Sequence, residues 1–315
     1  MKSQIDEAYA KIQSSIIKTP LLFSEPLSRL LQAKVYLKCE NLQITGSFKL
    51  RGALNKVLSL TTEQRQKGVI SASTGNHGAA VAYVCQLLQI PSTIFVPQDA
   101  SQAKLKNIAQ YGAQIQTVNG DGGLAEEQGR KTASEKGLVF ISPYNDMQII
   151  TGQGTIAREI CDDLKNIDEI LIAVGGGGLI AGISQYFVGE ANRPRITGCL
   201  PKNAPVFSES IAAGKAVSSP TQMTLSDATA GDIETDSITL ALCKDSVDNY
   251  IHISEESIMQ AMQFLLTEHH IVAEGAAALP VAAVMEKPSD WRNKTIVLVL
   301  SGGNVSQSIL QKMIS

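Results

Sequence analysis

Lys49 stands in the run Thr45-Gly46-Ser47-Phe48-Lys49-Leu50-Arg51-Gly52-Ala53, which follows the strand-like Val35-Tyr36-Leu37-Lys38-Cys39. The apolar spacing of Phe48, Ala53, Leu54, Val57 and Leu58 predicts a helix, with Ser47 as its N-cap and Lys49 in its first turn. An ammonium is disfavoured there by the positive end of the helix dipole and by the apolar neighbours Phe48 and Leu50. Both effects push the lysine toward its neutral amine, the form that condenses with a carbonyl. Taken alone, the stretch reads sooner as carrying a surface lysine; its company downstream changes that reading.

Three strand-like runs end in unusual turns: Ser71-Ala72-Ser73-Thr74-Gly75-Asn76-His77-Gly78, Val174-Gly175-Gly176-Gly177-Gly178-Leu179 and Leu300-Ser301-Gly302-Gly303-Asn304. Ligands of parallel sheets bind outside the carboxyl ends of the strands, so the three turns should crowd one edge. Consecutive glycines before a helix let backbone N–H groups converge on an anion such as a phosphate, the alternative being a tight turn that binds nothing. GxxxxGK[ST] is absent. Gly176, Gly178 and Ala181 satisfy a loose dinucleotide pattern, but no acid lies between Pro194 and Ala204 to hold a ribose. A small monophosphate ligand fits better than a nicotinamide dinucleotide. Ser73, Thr74, Asn76 and His77 suit a carboxylate or a phenolic oxygen, with His77 a helix-start residue rather than a catalytic base. HExxH, GxSxG and metal-ligand spacings of His and Cys are missing, and His269-His270 reads as a solvated helix end.

The elements that must position these residues alternate. Strand-like runs fall at 35–39, 69–72, 93–96, 114–118, 138–141, 170–174, 195–200, 250–253 and 295–300. Helical patterns lie between most of them, at 77–89, 102–111, 124–136, 152–165, 179–190, 255–268 and 274–285, after a first helix over 4–17. This is an α/β chain with mainly parallel, helix-covered sheets. We expect a small domain over 61–145 inserted in a large one made of 1–60 and 146–315. The stretch 201–236 is poorly periodic, and loops of that length are often functional.

Composition is ordinary: 44% hydrophobic, 18% charged, net charge -3. It gives no footprint for nucleic acid or an acidic membrane surface. Cys39, Cys85, Cys161, Cys199 and Cys243 are odd in number and never in a CxxC pair, as expected of reduced thiols. The N-terminus lacks the apolar core of a signal peptide, and 170–183 is too short and glycine-rich to span a bilayer. A soluble, cytoplasmic chain is the expectation.

Nearly the whole chain, from about residue 5 to residue 312, resembles pyridoxal-phosphate enzymes of the tryptophan synthase β-subunit fold (fold type II). The resemblance rests on Lys38-Cys39-Glu40-Asn41 with Thr45 through Ala53, on Ser73-Thr74-Gly75-Asn76-His77-Gly78, on Gly175 through Leu179, and on Ser301-Gly302-Gly303-Asn304. The branch it most resembles is threonine/serine dehydratase together with serine racemase. The resemblance implies two domains, each a mainly parallel twisted sheet covered by helices. It implies Lys49 as the lysine bonded to the cofactor aldehyde and Phe48 as its ring-packing neighbour. Asn76 would face the phenolic oxygen. Gly175, Gly176, Gly177, Gly178 and Leu179 would hold the phosphate, with Ser301 at the ring nitrogen and Glu274 near the ring. Ser73, Thr74, Gly75 and His77 would bind the substrate.

On this footing the implied reaction is the dehydration of L-threonine, L-serine or a similar β-hydroxy amino acid to a 2-oxo acid and ammonia. Racemases of the group carry Ser where Thr74 stands, so amino-acid racemisation is the alternative; from another class, it is a nicotinamide-dependent oxidoreductase. Leu200 and Val206 stand at the positions matching the group's divalent-cation acids, so no metal is expected. Ala228 replaces the glycine expected after Asp227, and Tyr144 stands where dehydratases carry an aromatic. A chain stopping at Ser315 is expected to lack a regulatory domain and feedback inhibition by isoleucine. A homodimer is implied by analogy, with a small amino acid the only other expected partner.

Overall fold

The structure, a computed structural model, describes residues 1–314; Ser315, the last residue of the chain, lies outside them. Ten strands are present among these residues. They are β1 Leu21–Phe23, β2 Lys34–Cys39, β3 Val69–Ala72, β4 Ser92–Pro97, β5 Gln114–Val118, β6 Val139–Phe140, β7 Glu169–Ala173, β8 Arg195–Pro201, β9 Asn249–Ile253 and β10 Thr295–Leu300. They form a six-stranded sheet in the order β1-β2-β10-β7-β8-β9 and a four-stranded sheet in the order β5-β4-β3-β6. Every pairing is parallel except β1 with β2.

The two-residue strand period divides the larger domain into two apolar layers. Ile170, Ile172, Val297 and Val299 enter one layer, while Leu171, Ile296, Leu298 and Leu300 enter the other. Strands buried on both faces read as continuous apolar runs, as 170–174 and 295–300 do. The smaller sheet repeats the pattern, with Val69, Ile94 and Val96 on one side and Ile70, Ala72 and Phe95 on the other. Helices cover both, so the fold is α/β with two parallel-sheet domains.

Four local expectations are corrected. The Lys49–Leu58 helix takes Phe48, not Ser47, as its N-cap, and no side chain caps it. Ser47 instead forms an antiparallel bridge with Gly302, and its hydroxyl has no partner. The helix expected at 152–165 runs over Met147–Asp163, because the Asp146 carboxylate accepts from the N–H groups of Gln148 and Ile149 and so starts it early. A helix, Val206–Ala213, lies inside the poorly periodic 201–236 stretch. Finally, β1 was not anticipated, since three residues carry too little alternation to register as a strand.

Candidate active site

All three turns meet in one cavity of about 290 Å³, lined among others by Lys49, Thr74, Asn76, Gly176, Glu274 and Ser301. The topology explains the meeting. Parallel strands β3, β7 and β10 deliver 73–77, 175–178 and 301–304 at their carboxyl ends. The Lys49 turn is fastened to the end of β10 by the Ser47–Gly302 bridge and by the Phe48 N–H donating to the Ser301 carbonyl at 3.1 Å.

Lys49 is half-buried in the cavity wall. Its Nζ donates to the Pro143 carbonyl at 2.9 Å and stands 5.2 Å from the centre of the Phe48 ring. Desolvation lowers its pKa to about 8, against the attraction of Glu274. About a tenth is therefore neutral amine at neutrality, far more than for an ordinary lysine, and this is the nucleophilic form.

Burial acts in the opposite sense on Glu274, raising its carboxyl to about 7. Asn76 Nδ2 donates to both its oxygens at 2.8 and 3.0 Å, and Asn304 Nδ2 donates to Asn76 Oδ1 at 2.6 Å. His77 also lines the cavity. Its Nε2 lies 3.0 Å from the Ile141 carbonyl, Nδ1 has no partner, and burial holds the ring neutral, with a pKa lowered to about 3.

The glycine turn opens the Gly178–Tyr186 helix, whose first N–H groups have no intrahelical partner. Such an end favours an anion. Its glycines also answer to packing. A Cβ on Gly176 would lie 2.3 Å from the Tyr144 ring, and Gly177 sits at φ +84° with Phe207 2.3 Å from any Cβ. Tyr144 is held in place by the Glu234 N–H, which donates to its hydroxyl at 2.9 Å.

Ser73, Thr74 and Gly75 line the cavity from the smaller domain, Phe48, Leu179 and Ser301 from the larger. Lys104, Asn107, Asp227 and Thr229 line it as well and were missed. Lys104 reaches Asp227 across the mouth at 3.0 Å, two exposed residues joined only by the docking of the two sheets. No local pattern marks either. Leu200 and Val206 are buried with the apolar core, and no group of three His, Cys, Asp or Glu suited to a metal occurs among the described residues.

The chain matches the family of pyridoxal-phosphate dependent enzymes over residues 12–302. It is 38% identical over 311 residues to the L-threonine ammonia-lyase of Thermotoga maritima, covering 99% of this chain and 77% of that protein. Maize serine racemase has a similar structure, with a TM-score of 0.92, 32% identity and coverage of 99% and 96% of the two chains. The processed form of threonine deaminase isoform 2 from Solanum lycopersicum follows at 0.91, 31% identity and coverage of 99% and 93%. A lysine of lowered pKa and a helix end that favours an anion are what a phosphorylated aldehyde requires, and with a match of this extent the chain belongs to the pyridoxal-phosphate dependent enzymes.

Proposed function

We propose that the chain is a dehydratase that converts L-threonine, L-serine or a similar β-hydroxy amino acid to a 2-oxo acid and ammonia. The observation that carries this reading is the desolvated Lys49 amine in the wall of a cavity walled by all three strand-end turns. The named activities of the Thermotoga maritima and Solanum lycopersicum relatives support it.

The residues fit the cofactor of the family. Lys49 would bond its aldehyde, and the N–H groups of the 175–179 turn would take its phosphate. Phe48, Asn76, Glu274 and Ser301 would border its ring, the last with a neutral hydroxyl rather than a carboxylate at the ring nitrogen. When bound, pyridoxal phosphate supplies the electron sink that acidifies the substrate Cα–H.

The chain's own groups do the rest. The Ser73, Thr74 and Gly75 turn, opening the Asn76–Leu87 helix, orients the substrate carboxylate. Lys49, as a free amine, would remove the Cα proton. Loss of the β-hydroxyl as water leaves an enamine, which hydrolyses after release.

A second reading, amino-acid racemisation, is favoured by one observation: Thr74, which carries a hydroxyl, lines the cavity. It would need a proton donor facing Lys49 across the substrate, and Thr74 is the candidate. Membership of the pyridoxal-phosphate family displaces the nicotinamide alternative.

We place the domain limits at 1–60 with 146–315 and at 61–145, supported by the two separate sheets. A homodimer is supported by the uncovered edge strand β1, where Leu22 and Phe23 are 40% and 50% exposed. No helix among the described residues is long and apolar enough to cross a membrane. Five free cysteines, four of them buried, support a reducing, cytoplasmic setting. The test is a panel of β-hydroxy amino acids with 2-oxo acid detection on protein loaded with pyridoxal phosphate. Turnover of threonine or serine is expected, and none on any member of the panel would end the proposal.

A further inference from the structure

Two residues beyond Lys49, on the opposite side of the same helical turn, Arg51 is fully buried. Its guanidinium is gripped from two sides. Nε and Nη2 donate to the two oxygens of Glu40, both at 2.8 Å, and Nη1 and Nη2 donate to those of Glu159 at 2.7 and 2.8 Å. Lys38 Nζ reaches the Glu159 carboxylate at 2.5 Å and the Thr19 carbonyl at 2.7 Å, and the Thr19 hydroxyl donates to Glu40 at 2.5 Å. Lys38, Glu40, Arg51 and Glu159 are all 0% exposed, two cations against two anions.

Such a cluster is poor value as a source of stability. Desolvation of buried ions offsets most of their attraction, and apolar residues of similar volume serve as well or better. What a planar fork between two carboxylates supplies is geometry, because it fixes the guanidinium plane and with it the rotation of the turn that carries it. Two further contacts hold the same turn. Gln153 Oε1 accepts from the Gly52 N–H at 3.1 Å, and Gly152 lies so near that its Cβ would stand 2.6 Å from Gly52 Cα. Gln153 and Glu159 belong to the Met147–Asp163 helix, and the Pro143 carbonyl that receives Lys49 Nζ lies just before it.

We propose that Arg51 is a positioning residue, setting the rotation of the first turn of the Lys49–Leu58 helix so that the Lys49 amine meets the reacting carbon. The lever is long. Nζ stands well outside the helix radius of about 2.3 Å, so a few degrees of rotation displace it appreciably, and about 1 Å of misplacement costs on the order of 10²-fold in rate.

The test is Arg51→Lys in the full chain, which keeps the charge and loses the double fork. We expect a folded protein whose kcat falls about 10- to 100-fold while KM stays within about threefold. Cofactor-free protein should also capture pyridoxal phosphate more slowly, read as the growth of visible absorbance. The pH midpoint of that absorbance should move. A lowered melting temperature with kcat, capture rate and pH midpoint unchanged would make Arg51 merely structural and overturn the proposal. If Arg51→Lys does not fold, Glu40→Gln, which weakens one fork and keeps its shape, is judged by the same readouts. Failure of both to fold would overturn the proposal, since the cluster would then be a stability element. The inference rests on Lys49 as the reacting amine. That premise fails separately, by retention of colour in Lys49→Ala, whereas failure here leaves the colour of the wild-type protein intact.

Discussion

Asn76 spans the two domains to grip Glu274, its Nδ2 lying 2.8 and 3.0 Å from the two carboxylate oxygens, while Asn304 holds its Oδ1 at 2.6 Å. The contact ties the turn after β3 to the Gly275–Glu286 helix and to the turn after β10. Burial outweighs this contact and sets an acid–base asymmetry in the cavity: it raises Glu274 to about 7 against the Asn76 hydrogen bond, and lowers Lys49 to about 8.

That asymmetry predicts how the cofactor-free protein responds to acid. Between the ordinary value of 4.5 and about 7, folded Glu274 holds a proton that the unfolded chain has released. The folded state then binds more protons, so this group's contribution to stability falls as pH rises through the window and recovers on acidification. Denaturant melts at pH 5 and pH 7.5 should show it. Glu274→Gln should flatten this part of the profile, and an unchanged slope would contradict the assignment.

Lys49 works on the other side of neutrality. Its folded pKa of about 8 lies below the ordinary 10.5, so the unfolded chain binds more protons between the two values. Its desolvation cost is complete below pH 8 and is relieved as pH climbs toward 10.5. Capture of pyridoxal phosphate should accelerate as pH rises through about 8, where the neutral amine becomes the majority form. Lys49→Ala should abolish both colour and turnover, as read by absorbance and 2-oxo acid assay.

Gly176→Ala tests the packing behind the glycine turn. Its Cβ would stand 2.3 to 2.6 Å from three atoms of the Tyr144 ring. Overpacking of this kind costs about 1–3 kcal/mol. A thermal melt should show that loss, and weaker cofactor retention should accompany it. Tyr144→Ala in the same chain should restore part of the stability lost to the clash. A double-mutant cycle with no coupling would show that the ring simply moves aside.

Thr74→Ala separates the two activities the scaffold could host. Elimination relies on Lys49 alone for the Cα proton, so 2-oxo acid formation should persist. Racemisation needs a group on the far face and should disappear, as read by chiral chromatography of recovered serine. Loss of dehydration to the same extent would show Thr74 to be required for elimination as well.

Much of the site was legible because its chemistry is local. A lysine at a helix start, Ser-Thr-Gly-Asn-His and four consecutive glycines each announce themselves within a few residues, and all three strand-end turns line the one cavity. Lys104 and Asp227 were illegible for the converse reason. They are 123 residues apart and meet only across the mouth between two sheets.

The sequence by itself determined most of the elements and the candidate reactive groups, since strand alternation, glycine runs and a lysine at a helix start are all read over one or two turns of chain. Tertiary structure decided what those groups face. The Pro143 carbonyl against Lys49, Asn76 on Glu274 and the double fork of Arg51 are through-space contacts that no spacing encodes. A side chain's protonation and aim depend on the atoms packed around it, and those arrive from distant parts of the chain only when the sheets dock.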